Sequence, residues 1–190
     1  MIYTDKIGLA IKKAAFLHKN QVSKGDGQTP FVVHVFRVMV LVGEYTNHEE
    51  TIIAAVLHDT VEDTDYTLNQ LALDFGLKVK EIVSGVTEEK KDKLGQKRSW
   101  IDRKNDYLRN LEKDSSESLL VSAADKLINT ESLISEYKIV GKKLENNFNA
   151  SFLEIHWYHD EVIKILKRRL KSKIVKRLEL AQFEAKRIVV

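Results

Sequence analysis

Residues 51–65 read TIIAAVLHDTVEDTD. Ile52, Ala55, Val56 and Asp59 recur at intervals of three and four, the period of a helix with one face against a core. At 3.6 residues per turn His58 lies above Glu62 and Asp59 above Asp63. One turn then offers a histidine and a carboxylate as metal donors, and the next offers two further carboxylates on the same side. The stretch decides both the fold class and where its chemistry sits.

The same period extends outward. Ile7, Ala10, Ile11, Ala14 and Leu17 form an opening helix, and residues 23–30, SKGDGQTP, break it as a turn. Phe31, His34, Val35, Val38, Met39 and Val42 mark a second helix. Asn47 with Glu50 resembles a capping box for the third, and Thr67 with Gln70 signals another start. Gly76 interrupts before Val79, Ile82 and Val83. Residues 87–97, TEEKKDKLGQK, are charged and poorly periodic, as in a mobile loop, and helices resume near Arg98. Asp114 with Glu117 is placed to cap a long helix through Leu133. GKKLENNFN, residues 141–149, is a second loop before terminal helices from about residue 150. Period-two alternation and internal repeats are absent, so the expected class is all-α. One domain over 1–190 is expected, with 150–190 as C-terminal helices packed on it.

Composition narrows the function. Of 190 residues 43% are hydrophobic and 31% charged, with eight Gly, one Pro and no Cys. The missing thiols exclude a disulfide scaffold, a thiolate zinc site, an iron–sulfur cluster and a Cys nucleophile. No apolar run approaches the ~20 residues that span a bilayer, and no signal-like block follows Met1. A soluble, cytoplasmic protein without a membrane partner is expected. The formal net charge of +3 is too small to imply nucleic acid as a partner. Basic residues crowd the segment from Lys164 to Arg177, interleaved with Ile163, Leu166, Leu170, Ile174 and Leu178. This is one amphipathic helix whose basic face is solvated, with RNA, an acidic partner or a subunit contact as alternatives; a homo-oligomer stays open.

His34, His58, Asp59 and Asp125 supply two nitrogen and two oxygen donors for a divalent ion, leaving positions for water and a phosphate oxygen. Asp125 is the most telling of these, because the apolar pattern of SAADKLINTESL hides a carboxylate that needs a metal or a basic partner. Glu62, assisted by Asp63, is placed to take a proton from water. His18 is assigned to the pocket wall, His48 to an exposed cap, His156 and His159 to packing, and Arg37 to a structural ion pair.

Together PFVVHVFRVMVLV (30–42), AAVLHDTVEDTDYTLNQLALDFGLKVKEIVSGVTEE (54–89) and SAADKLINTESL (122–133) resemble the HD hydrolase domain of RelA/SpoT proteins, above all the stand-alone small alarmone hydrolases. The resemblance implies a helical HD fold, a manganese ion on His34, His58, Asp59 and Asp125, and Glu62 with Asp63 as the catalytic pair. It implies hydrolysis of the 3′-pyrophosphate of ppGpp or pppGpp, with a small nucleotide as the partner. By the same resemblance Lys24, Arg103, Lys104 (in WIDRKNDY, 100–107) and Asn129 become candidate substrate contacts. Val35 replaces the usual proline and Ile128 the usual histidine, changes that bear on the pocket wall and leave the ligands in place. Another nucleotide or NADPH as substrate, or a non-catalytic RNA- or partner-binding protein, are the alternatives.

Overall fold

A computed structural model describes residues 3–92 and 94–189. It is built of ten α-helices: α1 Asp5–Leu17, α2 Val32–Tyr45, α3 Glu49–Leu57, α4 Thr60–Asp63, α5 Leu68–Phe75, α6 Leu77–Val86, α7 Trp100–Leu111, α8 Ser116–Val140, α9 Phe152–Arg169 and α10 Lys173–Ile188. A 3-10 turn, Gly141–Asn147, follows α8. Among the described residues the only β pairing is two isolated bridges, Val22 with Pro30 and Lys91 with Lys97. The all-α expectation holds.

Two helices are buried on every side, which places them in the middle of the bundle. All residues from Thr51 to Leu57 on α3 are buried, as are all from Ser118 to Ile128 on α8. α3 packs against α1, α2, α6 and α8, while α8 also meets α2, α6, α9 and α10. Each fully buried Leu or Ile here contributes about 1.5–3 kcal/mol relative to exposure. The parts of α3 and α8 that position His58 and Asp125 are therefore held by the core itself.

Local chemistry sets the boundaries. Thr67 and Gln70 form the expected capping box at α5. Two expected caps move by one residue. α3 begins after His48, which makes no side-chain cap bond, so Asn47 with Glu50 is not a capping box. α8 is capped by Ser115, whose hydroxyl accepts from the Ser118 amide, instead of by Asp114. A hydroxyl one residue along competes for the same free amides. Ser151 and Glu154 form a further capping box at α9. Gly76 joins α5 to α6 at φ 98°, a backbone that L side chains rarely adopt.

Three connections differ from expectation. α8 runs past Leu133 to Val140, and GKKLENN coils into the 3-10 turn. The single basic helix is two, broken at 170–172, where Ser172 caps α10. Its cations are largely spent on neighbours: Lys167 on Glu179, Arg168 on Glu112, Arg177 on Glu44 and Glu131. The charged stretch 87–97, whose residue 93 lies outside the described residues, holds local structure: Lys91 and Lys97 form a bridge, the Arg98 amide donates to the Lys90 carbonyl, and Asp92 caps the Leu94 and Gln96 amides.

Candidate active site

Four donors converge where α2, the α3–α4 joint and α8 meet. His34 Nε2 lies 3.6 Å from Asp59 Oδ2 and 3.2 Å from Asp125 Oδ1. His58 Nε2 lies 3.1 Å from the same Asp59 oxygen and 3.7 Å from the same Asp125 oxygen. His34, His58 and Asp59 bring one donor atom each within 4.8 Å of one another, and Asp125 reaches the group through both histidines. The donors come from residues 34, 58, 59 and 125, so the bundle, not the local chain, assembles them.

His58 and Asp59 do not sit on an unbroken helix. The Thr60 hydroxyl takes the Leu57 carbonyl at 2.6 Å, and α4 starts afresh at Thr60. Both residues keep right-handed helical backbone, and the Asp63 amide still donates to the Asp59 carbonyl at 2.9 Å. The one-turn relation of Asp59 to Asp63 survives the break.

The surroundings of His58 fit a cation. His58 Nδ1 contacts the Ala55 carbonyl at 2.8 Å, and a carbonyl only accepts, so Nδ1 carries the proton. The other nitrogen, Nε2, is buried without a hydrogen-bond partner and faces two carboxylates. A lone pair facing carboxylate oxygens is repulsive unless a proton or a metal stands between them. Burial works against charge on His58, yet Asp59 and then Asp125 outweigh it and raise its pKa well above the ordinary value. Fixing a histidine through its second nitrogen to a backbone carbonyl is the usual arrangement behind a metal ligand.

Asp125 is doubly supported. Asn129 Nδ2 donates to its Oδ1 at 2.7 Å, and the Lys126 ammonium binds its Oδ2. Lys126 is 7% exposed and stands 5.4 Å from the ring centres of Tyr107 and Tyr158. Against the cost of burial, Lys126 and the histidines hold the Asp125 carboxyl well below the usual range. The need for a partner, visible in the sequence, is met from both sides.

Glu62 and Asp63 follow Asp59 by about one turn, and Glu88 and Lys90, just after α6, reach them. The Glu88 amide donates to Glu62 Oε2 at 3.1 Å, while Lys90 pairs with Asp63 and lies 3.4 Å from Glu62 Oε1. Burial, then the Asp59 and Glu88 charges, push Glu62 up to about 7. A carboxyl poised there exchanges protons at neutral pH. On the other side, Gln21 Nε2 donates to the Asp63 carbonyl at 2.8 Å, and Gln21 Oε1 accepts from His18 Nδ1 at 2.6 Å. His18, Phe31, His34 and His58 follow one another at centroid spacings of 5.1, 5.3 and 5.4 Å. His18 thus lines the wall behind the first donor.

The expected substrate contacts divide. Arg103 Nη1 and Lys104 Nζ lie against Glu88, which bonds Glu62. Asn129 has its amide nitrogen committed to Asp125. Lys24 is exposed and, among the described residues, has no ion-pair partner. His156 contacts the Val189 carbonyl and His159 the Thr130 hydroxyl, so both pack; Arg37 pairs with Glu131. Glu88, Lys90, Lys126 and Gln21 escaped sequence reasoning. Lys126 alone had a signal, a basic residue beside an aspartate in an apolar run. A groove of about 570 Å³ between α1 and α5, lined in part by Lys13, Phe16, Tyr66 and Asp74, contains none of the donor residues.

The HD domain family profile matches residues 10–149. The chain is 39% identical over 123 residues to the Danio rerio guanosine-3′,5′-bis(diphosphate) 3′-pyrophosphohydrolase MESH1, covering 63% of this chain and 64% of that protein. The Drosophila melanogaster protein of the same name is 30% identical over 169 residues, covering 81% of this chain and 90% of that one. Among solved structures, a metazoan ortholog of SpoT described as hydrolyzing ppGpp superposes with a TM-score of 0.75 at 27% identity, over 98% of this chain and 97% of that one. A Listeria monocytogenes structure gives 0.69 at 25% identity, over 80% of this chain and 99% of that one. The chain thus matches less than two thirds of the zebrafish relative's length and nearly all of the fruit-fly one.

Proposed function

The chain belongs to the HD-domain family, and we propose that within it this protein removes the 3′-pyrophosphate of guanosine alarmones, taking ppGpp to GDP, or pppGpp to GTP, plus pyrophosphate. The observation that carries this reading is the four-donor set with an acid pair one turn away, on a fold shared with relatives named for that reaction.

His34, His58, Asp59 and Asp125 would hold one divalent ion, which we propose to be manganese. Imidazole and carboxylate donors without thiolate suit it and similar ions. When bound, the ion supplies Lewis acidity toward water and a phosphoryl oxygen. Glu62, oriented by the Glu88 amide, accepts the proton of the attacking water. Asp63, held by Lys90 and by the Gln21 contact to its carbonyl, keeps that water in place. The attack forms a new oxygen bond at the phosphorus on the 3′ oxygen and breaks the bond to that oxygen, which leaves with a proton as the nucleoside hydroxyl. Arg103, Lys104 and Lys24 are the proposed phosphate contacts, with Asn129 bordering the nucleotide.

Among the described residues no helix is long and apolar enough to cross a membrane. We propose a cytoplasmic enzyme in which residues 1–190 form one domain. A second substrate class, another phosphorylated nucleotide or NADPH, draws support from residues 23–30 before His34, where Asp26 follows Lys24 closely and Lys24 is the single cation. Pyrophosphate release from ppGpp, with manganese and then with chelator, separates the two. Release abolished by chelator supports the alarmone reading. Absent release with manganese bound moves the protein to the second class.

A further inference from the structure

Glu88 is the least expected residue near the site. It is 8% exposed, and it reaches three groups of opposite roles. Its amide holds Glu62. One carboxylate oxygen accepts from Arg103 Nη1 at 3.1 Å, and the other binds Lys104 Nζ. Lys104 is also 4.5 Å from the Tyr158 ring centre and 5.6 Å from that of Trp100. Lys126 approaches the same Tyr158 ring. Three cations therefore crowd one buried corner, and Glu88 binds two of them.

We infer that Glu88 is a positioning residue that holds Arg103 and Lys104 as a preformed pyrophosphate clamp beside the acid pair. The inference rests on the phosphohydrolase reading above and adds how the leaving pyrophosphate is gripped. Arg103 has five N–H donors and Lys104 three, so each keeps spare donors after bonding Glu88. A buried carboxylate bonded to two cations is costly to displace, so it does not trade places with an incoming phosphate. It also offsets the mutual repulsion of the cations. Burial pulls the Lys104 ammonium toward its neutral form, and Glu88 is the main group opposing that shift. The Glu62 bond uses the backbone amide of residue 88, which any substitution except proline retains. Side-chain changes therefore keep the hydrogen bond to the base, while losing the Glu88 charge removes part of the push that raises Glu62. The variants are accordingly compared at about pH 8.5, where Glu62 is ionised in each.

The test measures inorganic pyrophosphate binding by calorimetry on the metal-loaded protein, with kcat and KM for ppGpp alongside. Glu88→Gln is expected to weaken pyrophosphate, and to raise KM, about tenfold, with kcat within about threefold and metal content unchanged. Glu88→Asp retains the charge and is expected within about threefold of the natural protein on the same scale. Glu89→Gln, on the neighbouring exposed residue, should match the natural protein. Pyrophosphate binding by Glu88→Gln as tight as in the natural protein, or tighter, would overturn the inference. So would a fall in kcat with KM unchanged. Should Glu88→Gln not fold, the Asp variant decides: a tenfold loss there refutes charge-based positioning, and near-natural binding supports it. If ppGpp is not hydrolysed while pyrophosphate binding still follows Glu88 as expected, the substrate assignment fails and the clamp stands.

Discussion

Replacing Lys126 by Met should destabilise the protein strongly without metal and only mildly with it. The Lys126 ammonium is buried against Asp125 Oδ2 and two tyrosine rings. Met keeps the apolar stem between the rings and removes the charge. Asp125 then loses its closest cation in a site where burial already penalises the carboxylate. Breaking one partner from a buried pair costs about 3–5 kcal/mol. For a chain of this size that is a fall in Tm of about 10 °C. A divalent ion on Asp125 replaces the missing positive charge, so the cost should shrink to about 1–2 kcal/mol at saturating metal. The assay is urea unfolding of both proteins, with chelator and with manganese, giving a four-state cycle. The metal should stabilise Lys126→Met more than the natural protein by the difference of the two costs. Equal destabilisation in both conditions would refute the reasoning, since it would mean that the ion and Lys126 do not share Asp125.

Further outcomes follow from the same geometry. Asp59→Ala should lose bound metal and turnover together, whereas Glu62→Gln should keep the metal and lose about 10²–10⁴-fold in kcat; metal content and pyrophosphate release measure the two, and full turnover in Glu62→Gln would remove Glu62 as the base. Burial, then the Lys126 charge, push His159 down to about 3, so the fold excludes a proton that the unfolded chain binds below about 6.5. The stability from this group is present above that pH and lost as pH falls toward 3, about 3 kcal/mol of it between pH 7 and pH 4. His159→Gln should flatten that decline in urea midpoints, and an unchanged slope would show that another group controls it. Gln21→Leu removes the donor to the Asp63 carbonyl and should lower kcat about tenfold while metal affinity stays the same.

Much of this protein was legible as text because its decisive signals are local. Helical period follows from which neighbours share a face, so the all-α class and the core-facing Ile52, Ala55 and Val56 could be read from spacing, whereas burial of every residue from Thr51 to Leu57 could not. The pairing of Asp59 with Asp63 depends on one turn of backbone and survives even the break at Thr60. Asp125 betrayed itself as a charge inside an apolar stripe, where burial demands a partner. What spacing could not supply were contacts made across 15 to 42 residues: Glu88 with Arg103, Lys104 and Glu62, Lys90 with Asp63, and Gln21 with the Asp63 carbonyl. A charged stretch such as 87–97 has no apolar period; Asp92 caps amides within it, and its ion pairs to Asp63 and Lys104 exist only once α4 and α7 are in place. Lys126 is the sharpest case. Adjacent residues on a helix do not face one another, and the ammonium that meets Asp125 lies against the rings of Tyr107 and Tyr158, brought in from α7 and α9. The sequence alone determined the helical class and singled out His34, His58, Asp59 and Asp125 as the side chains that the fold brings together. Only the tertiary structure decided which cations and amides orient them, because those partners are chosen by packing between helices distant along the chain.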